Sequence, residues 1–350
     1  MARFAGPFFP RTALGPVCFG AALEGERKKG RYPMTLVEKI LEEGFVAEKT
    51  SEGLAQECAR ADDASLGDDV ALNDGPSSDR RLKLFVSTPF RARGTLAAFP
   101  GAVFGADDAT KEAYVEALVA EVEAAAEGMD ELFVDEVEFG GGPASALSGT
   151  QLARVMRAIR KHYRLASDAR VHLHDVPGGV TVDYAAFCKN AHVEWVELEA
   201  LSTDVAALKA LGLPPSLDAT VSCFQVAYFA GAPAMGILLD ASVDPDLRAF
   251  RRSVIETLAR SPLYVRAVGL DDERRAALAE LCGARGLRCL PGDVWAREGF
   301  AGLPGEAPNQ LGFGLGAESR FDGIRFKTTD DLALYCAHSR DFGAIARQVG

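Results

Sequence analysis

The sequence predicts an α/β protein built on a partial or full (β/α) TIM-like barrel of about six parallel strands, with a short N-terminal helical extension and a C-terminal segment. From residue 82 onward, short runs of branched apolar residues alternate six times with helical patterns. Such alternation is typical of parallel strands joined by crossover helices. The chain has 350 residues, of which 48% are hydrophobic. This is enough to form one such domain with appendages.

The elements follow one another regularly. The predicted strands cover 82–88, 132–139, 169–174, 193–199, 234–241 and 263–270. Helices are predicted over 110–127, 148–163, 245–261 and 271–285, and Ser148 with Gln151 forms a capping box at the start of the second. We divide the chain into an irregular lead-in (1–32), a helical extension with an acidic linker (33–80), the barrel (81–295) and a C-terminal segment (296–350).

The predicted strands carry a polar set in register. Helices cover the outer face of a barrel, so polar residues at alternate positions must point inward. Val171 and Leu173 therefore face the helices. The inward positions are Lys83, Ser87, Glu136, Glu138, Arg170, His172, His174, Glu197, Glu199 and Arg266. Because buried charges need partners, this set is either a compensated ion network or a polar ligand cavity.

A metal site is a third interpretation of the same residues. His172 and His174 are two residues apart on one strand and share a face. Glu197, Glu199 or Asp175 could complete a two-histidine, one-carboxylate set that activates water. The alternative is a pair of histidines hydrogen-bonded to glutamates. We keep a metal-dependent barrel enzyme as an alternative and assign no metal ligands.

Charge and cysteine usage exclude several classes of protein. The net charge is −12 and the pI is near 5.0, which argues against nucleic acid as a partner because phosphate binding requires a basic face. No apolar run approaches the roughly 20 residues of a membrane span, and we expect a cytoplasmic protein. The seven cysteines are scattered without the spacing of zinc or iron-sulfur ligands.

Several phrases occur in an order that resembles one enzyme family. They are "GRYPMTLVEKILEEG" (30–44), "LFVSTPF" (84–90), "FPGAVFG" (99–105), "FGGGP" (139–143), "LSGTQLARVMRAIRKHYRL" (147–165) and "GFGLGAES" (312–319). Together they resemble the radical S-adenosylmethionine proteins of the oxygen-independent coproporphyrinogen III oxidase family, and most of all its HemZ-type coproporphyrinogen dehydrogenases. The resemblance covers roughly residues 30–340. Its evidence is that these phrases occur in the same order as in the family.

The resemblance implies that the loop after "LFVSTPF" should hold a four-iron, four-sulfur cluster on a Cys-x3-Cys-x2-Cys motif. The three matching positions are Arg91, Thr95 and Ala98. Cluster iron requires thiolates, so we expect no iron-sulfur cluster here. The family's Glu-x-Thr-x-Glu on the third strand corresponds to Arg170, His172 and His174, and its basic residue on the fourth strand corresponds to Trp195.

Other family features are retained. The glycine run that approaches the methionine part of S-adenosylmethionine corresponds to Gly140, Gly141 and Gly142. Gly314, Gly316 and Ser319 match a second wall of that cavity. These six residues are the candidate cofactor-binding set. Arg91, Arg170, His172, His174, Glu197 and Glu199 are the candidate ligand-cavity residues.

The resemblance therefore implies a cluster-less homologue, a binding or regulatory pseudoenzyme related to tetrapyrrole and haem metabolism. A tetrapyrrole or adenosyl ligand and an intact paralogue are its candidate partners, and S-adenosylmethionine is a candidate cofactor. The alternatives are an active coproporphyrinogen dehydrogenase, which decarboxylates propionate side chains oxidatively, and the metal-dependent enzyme described above.

Overall fold

The computed structural model describes residues 80–91, 101–177, 181–210, 234–300, 303, 307–321 and 323–349. The predicted lead-in and all but the last residue of the helical extension lie outside this part of the chain, as do Thr95 and Ala98. All the described residues belong to one compact unit, 33–350. The division into a barrel and a C-terminal segment stays a prediction.

Strands and helices alternate through most of the described chain. The strands are β1 (Arg81–Ser87), β2 (Phe90–Arg91), β3 (Val103–Phe104), β4 (Phe133–Gly140), β5 (Arg164–Asp175), β6 (Val193–Leu201), β7 (Ala234–Asp240), β8 (Tyr264–Val268), β9 (Arg288–Leu290), β10 (Val294–Ala296), β11 (Gln310–Phe313), β12 (Glu318–Phe321), β13 (Ile324–Thr328) and β14 (Ala346–Val349). The helices are α1 (Asp108–Ala125), α2 (Gly149–His162), α3 (Val182–Ala191), α4 (Val205–Ala210), α5 (Leu247–Ala259), α6 (Asp272–Gly283), α7 (Leu332–His338) and α8 (Phe342–Ile345).

Within the described residues, twelve of the strands form one sheet in the order β14-β13-β12-β11-β1-β4-β5-β6-β7-β8-β10-β9. The six predicted strands are β1 and β4 to β8, and they pair in parallel. β11 adds a seventh parallel strand beside β1, so the parallel run is longer than predicted. The two edge strands do not pair with each other in this part of the chain, and the sheet is therefore open rather than a closed barrel.

The crossover helices that connect successive parallel strands lie on one face of the sheet, because right-handed crossovers place them on the same side. The residues facing them are apolar and buried, among them Leu84, Val137, Leu173 and Leu198. α2 begins with the predicted capping box, since the Ser148 side chain accepts a hydrogen bond from the Gln151 backbone N–H and the Gln151 side chain accepts one from Ser148 N–H. The helices leave the opposite face of the sheet to the charged residues.

Candidate functional site on the polar face of the sheet

The face of the parallel strands opposite the helices, here called the polar face, carries a continuous charged network. Strand register builds it, because side chains at paired positions of neighbouring strands stand beside one another. Lys83 of β1 pairs with Glu136 of β4, and Glu138 of β4 pairs with His172 of β5. His174 of β5 in turn pairs with Glu197 of β6. Basic and acidic side chains thus meet across three strand pairs.

Lys83 lies between two carboxylates at one end of the network. Its Nζ is 2.6 Å from Glu136 Oε1 and 2.5 Å from Glu138 Oε2. Burial by itself lowers the pKa of Lys83, but the two glutamates outweigh burial and raise that pKa. Arg170 reaches Glu136 as well, at 3.6 Å. Two cations thus compensate Glu136.

His174 bridges the network between β4 and β6. Its Nε2 is 3.1 Å from Glu138 Oε1, and its Nδ1 is 3.3 Å from Glu197 Oε1. Burial alone lowers the pKa of His174, but its bonds to the two carboxylates raise that pKa to about 10. Burial raises the pKa of Glu138, and the hydrogen bonds of His172 and His174 reverse this and hold it well below its usual value.

Glu197 is the most heavily bonded carboxylate of the network, and it is almost completely buried. Tyr264 Oη donates to Glu197 Oε2 at 2.9 Å, Arg266 Nε donates to the same oxygen at 3.1 Å, and Arg266 Nη2 donates to Oε1. Burial raises the pKa of Glu197, but His174 and Arg266 lower it to about 2. Tyr264 reaches this position from β8 only because Gly236 of β7 lies beneath its ring, where an added Cβ would be 2.1 Å from Tyr264 Cζ.

His172 is fixed by an aromatic neighbour. Its ring stacks on Trp195 with centroids 4.6 Å apart and an interplanar angle of 5°, and its Nε2 is 3.4 Å from Glu138 Oε2. Its Nδ1 is buried and has no hydrogen-bond partner among the described residues. Trp195 also lies near the Arg170 guanidinium, 5.8 Å from ring centroid to Cζ. Trp195 stands at the position where the resemblance places a basic residue, and it supplies the aromatic ring on which His172 stacks.

Arg91 of β2 forms a pair with Glu199 beside the network. Its Nε and Nη2 donate to the Gly141 carbonyl at 3.2 and 2.9 Å, and its Nη1 is 3.9 Å from Glu199 Oε2. Burial raises the pKa of Glu199, and the charge of Arg91 partly opposes that rise. Arg170, His172, His174 and Glu197 therefore lie in the network with Lys83, Glu136, Glu138 and Arg266. Arg91 and Glu199 form a separate pair beside it, and the charges of His174, Glu197 and Arg266 act on the pKa of Glu199.

One residue, Asp175, departs from the predicted arrangement. Asp175 follows His174 on β5, so the strand alternation turns its side chain away from the histidines; its carboxylate accepts from Ser145 Oγ at 2.5 Å. Asp175 is therefore wrong as the carboxylate partner of the histidine pair. Ser87, the other polar residue predicted to point inward from β1, donates from its Oγ to the Leu315 carbonyl at 2.9 Å.

The candidate cofactor-binding glycines have packing reasons of their own. A Cβ on Gly142 would lie 2.2 Å from the Thr88 carbonyl oxygen. Gly141 and Gly316 have left-handed φ of 80° and 68°, which glycine adopts without strain. Gly314 combines a φ of 93° with close approach to Tyr114 Oη, 2.2 Å from an added Cβ.

The polar groups of Gly314, Gly316 and Ser319, the second part of the candidate cofactor-binding set, already form hydrogen bonds within the protein. Gly314 N–H donates to Glu121 and Gly316 N–H to the Thr329 carbonyl. Ser319 Oγ accepts from Gly312 N–H at 2.9 Å. Cofactor binding by the glycine set stays a prediction, because internal packing already explains these residues.

A cavity of about 560 Å³ opens beside Arg91. Its volume is within the range of small-molecule sites. Among the described residues its cations are Arg91 and Lys111, and its lining residues are Phe90, Arg91, Val103, Phe104, Gly105, Ala106, Lys111, Pro143, Ser145, Ala146 and Val176. The cavity offers apolar walls together with two positive charges.

None of the described helices has the length and apolar character needed to cross a bilayer.

Comparison with solved structures shows that the chain has an α/β fold similar to that of a radical S-adenosylmethionine enzyme. The chain is similar to coproporphyrinogen III oxidase (HemN) from Escherichia coli, described as a radical SAM enzyme, with a TM-score of 0.68, 15% identity and coverage of 78% of this chain and 72% of that chain. Weaker similarities are to anSMEcpe with bound AdoMet and a peptide (TM-score 0.39, 12% identity, 58% and 59% covered) and to Streptococcus suis SuiB bound to S-adenosylmethionine (TM-score 0.33, 8% identity, 67% and 52% covered). No protein-family model and no curated protein sequence matches the chain. At these identities the likeness shows the fold alone.

Proposed function

We propose that this chain is a cluster-less relative of the radical S-adenosylmethionine coproporphyrinogen III oxidases, and that it binds a carboxylated tetrapyrrole or an adenosyl compound without radical chemistry. The fold supports the relationship to that class. The residues at the family's cluster positions support the loss of the redox centre.

Arg91 is the observation that carries the proposal. The resemblance assigns it to the first cluster-ligand position, where a thiolate is required. A guanidinium stays protonated and has no lone pair to give to iron. Its contacts with the Gly141 carbonyl and Glu199 direct its positive charge towards the glycine run. Thr95 and Ala98 occupy the other two positions of the sequence. These residues do not fit an iron-sulfur cluster.

The cavity beside Arg91 supports an anionic ligand with an apolar body. Phe90, Val103, Phe104 and Val176 form apolar walls, while Arg91 and Lys111 carry charges suited to carboxylates. A porphyrin with propionate side chains has both properties. An adenosyl compound with an amino-acid carboxylate is the second candidate. We infer that Lys111 contributes to binding, because its side chain lines the cavity and is not one of the residues that form the ion pairs of the polar face.

Iron uptake tests the loss of the cluster. The full chain and the triple variant Arg91→Cys/Thr95→Cys/Ala98→Cys are expressed anaerobically with iron and sulfide, and their iron content and visible spectra are measured. We expect colourless wild-type protein and brown, iron-containing triple variant. Wild-type protein with about four irons per chain would overturn the proposal and favour an active coproporphyrinogen dehydrogenase.

Ligand titrations test the second half of the proposal. Coproporphyrin III, followed by its absorbance, and S-adenosylmethionine, followed by calorimetry, are titrated in separate experiments into wild-type protein and Lys111→Met. Loss of one charge-assisted bond, worth about 1.5–3 kcal/mol, predicts binding weakened by about tenfold or more. The matched control is Arg340→Met, which removes a largely exposed cation paired with Glu123. No binding of either compound, or equal binding by Lys111→Met, would contradict the proposed cavity.

A further inference from the structure

Three side chains of the polar face converge on one point. The ligand atoms that Glu138, His172 and His174 can offer all lie within 4.8 Å of one another. Glu138 Oε2 is 3.4 Å from His172 Nε2, and the other carboxylate oxygen, Oε1, is 3.1 Å from His174 Nε2. In a tetrahedral site with metal bonds of about 2.0–2.1 Å, neighbouring ligand atoms are about 3.3–3.4 Å apart. The two nitrogen–oxygen separations, one to each carboxylate oxygen, are close to that value, and a small rotation of the carboxylate would present one oxygen to both imidazoles.

The two imidazole rings are held in orientations suited to ligation. His174 Nδ1 faces Glu197, and Arg266 and Tyr264 fix that carboxylate in turn. A carboxylate on the second ring nitrogen is the usual support of a metal-bound histidine, because it fixes the tautomer and leaves Nε2 to the metal. The His172 ring is held by its stack on Trp195.

We propose that Glu138, His172 and His174 form a binding site for a divalent transition metal of the zinc class. Two imidazoles and one carboxylate suit Zn²⁺ or Fe²⁺ better than Mg²⁺ or Ca²⁺, which prefer oxygen ligands. The cation takes the position of the proton shared by His174 Nε2 and Glu138. The side chains of His174 and Glu138 keep 24% and 16% exposure, so the site has a route to solvent and one open coordination position.

Lys83 provides a second test of the proposed metal site, because its ammonium group competes with the metal for the Glu138 carboxylate. Its Nζ is 2.5 Å from Glu138 and 2.6 Å from Glu136. When a metal binds Glu138, Lys83 keeps Glu136 as its partner. Two like charges a few ångströms apart repel by several kcal/mol even at an effective dielectric constant of about 20. Replacing Lys83 with a neutral side chain should therefore strengthen metal binding.

Calorimetric titration of the metal-free full chain with Zn²⁺ tests the site. We expect one zinc per chain in the wild type, with affinity reduced at least about tenfold in His172→Ala, His174→Ala and Glu138→Gln. Lys83→Met should bind about tenfold more tightly. The control is His162→Ala, which removes a histidine near Glu123 outside the polar face. No zinc uptake, or equal uptake in wild type and His174→Ala, would overturn the proposal.

Cobalt substitution keeps the test decisive where an alanine variant fails to fold. Co²⁺ added to the wild-type chain should give the strong visible bands of a four-coordinate ion without a thiolate charge-transfer band. A thiolate-to-metal charge-transfer band would instead place the metal on a cysteine and overturn the assignment. Cys289, an exposed free thiol, is a candidate for such binding. The proposal does not depend on the porphyrin or adenosyl ligand, and its readouts are separate from those titrations.

Discussion

Two buried carboxylates of this protein, Glu197 on the polar face and Glu121 of α1, have opposite surroundings. Glu197 meets the imidazole of His174 and the guanidinium of Arg266. Among the described residues, Glu121 accepts hydrogen bonds from two neutral donors, the Gly314 N–H at 2.7 Å and Tyr335 Oη at 2.6 Å. Burial raises the pKa of both side chains. Cations lower that of Glu197 to about 2, whereas hydrogen bonds leave that of Glu121 at about 7.

The contrast teaches that partner charge, not burial, decides which form of a buried carboxylate the fold stabilises. The polar face stabilises ionised glutamates within a network of neighbouring strands. The Glu121 cluster instead joins distant segments, because Gly314 and Tyr335 lie 193 and 214 residues away in sequence. Tyr114 adds to it by donating to the Ser87 carbonyl at 2.7 Å. The hydrogen bonds of Glu121 thus connect the segments that contain Gly314 and Tyr335 to α1.

The largest effect is expected from Glu197→Ala. The substitution leaves Arg266, His174 and Tyr264 Oη without their shared acceptor. Removing one partner of a buried ion pair typically costs about 3–5 kcal/mol. Urea unfolding at neutral pH should show a loss of that size in the free energy of unfolding. Glu194→Ala, an exposed position on the same strand, is the control, and an equal loss in both variants would refute the role of the network.

The second effect is a pH dependence that belongs to Glu121. Its pKa is about 7 in the folded chain and near its ordinary 4.5 when unfolded. Between these values the unfolded state releases its proton first, so the free energy of unfolding falls as pH rises, by on the order of 3 kcal/mol in total. Below pH 4.5 this penalty is absent, and above pH 7 it no longer grows.

Glu121→Gln should remove this slope, because an amide does not titrate. The free energy of unfolding is measured across the interval from about pH 5 to about pH 8, with Glu116→Gln, exposed on the same helix, as control. The groups that face Glu121 are Tyr335, Tyr114 and Tyr163, and burial keeps the pKa of each above its ordinary value. They therefore stay neutral in this interval. An unchanged slope in Glu121→Gln would refute the assignment.

Gly236→Ala should disturb the polar face through packing alone. The new methyl group would lie 2.1 Å from Tyr264 Cζ, and the fully buried tyrosine has no free space to move into. Overpacking of this kind costs about 1–3 kcal/mol. The double variant Gly236→Ala/Tyr264→Phe distinguishes the causes: it should not restore stability, since the ring still clashes. Recovery in the double variant would show that the hydroxyl, not the ring, is responsible.

The smallest effect is expected from Tyr335→Phe. It removes one hydrogen bond to Glu121 and leaves the Gly314 N–H in place. The expected loss is about 1–2 kcal/mol, larger above pH 7 where Glu121 is ionised. Equilibrium unfolding at two pH values measures it. A loss that is the same at both would contradict a bond to a titrating carboxylate.

The sequence predicted much of the fold because its periodicity is local. The apolar and polar positions of β1, β4, β5, β6 and β8 could be assigned by alternation, and the Ser148 capping box by spacing. β11 was not predicted as part of the parallel run. Its four residues are too few to show a period, and its pairing with β1 joins segments more than two hundred residues apart.

The same division applies to the site. Alternation alone determined that His172, His174, Glu197 and their neighbours share one face, because successive side chains of a strand point to opposite sides. Only the tertiary structure decided which partners meet. Glu138 rather than Asp175 lies between the two histidines, Tyr264 crosses Gly236 to reach Glu197, and Glu121 receives Gly314 and Tyr335. These contacts depend on strand register and on chain segments that are distant in sequence, and no local pattern encodes either.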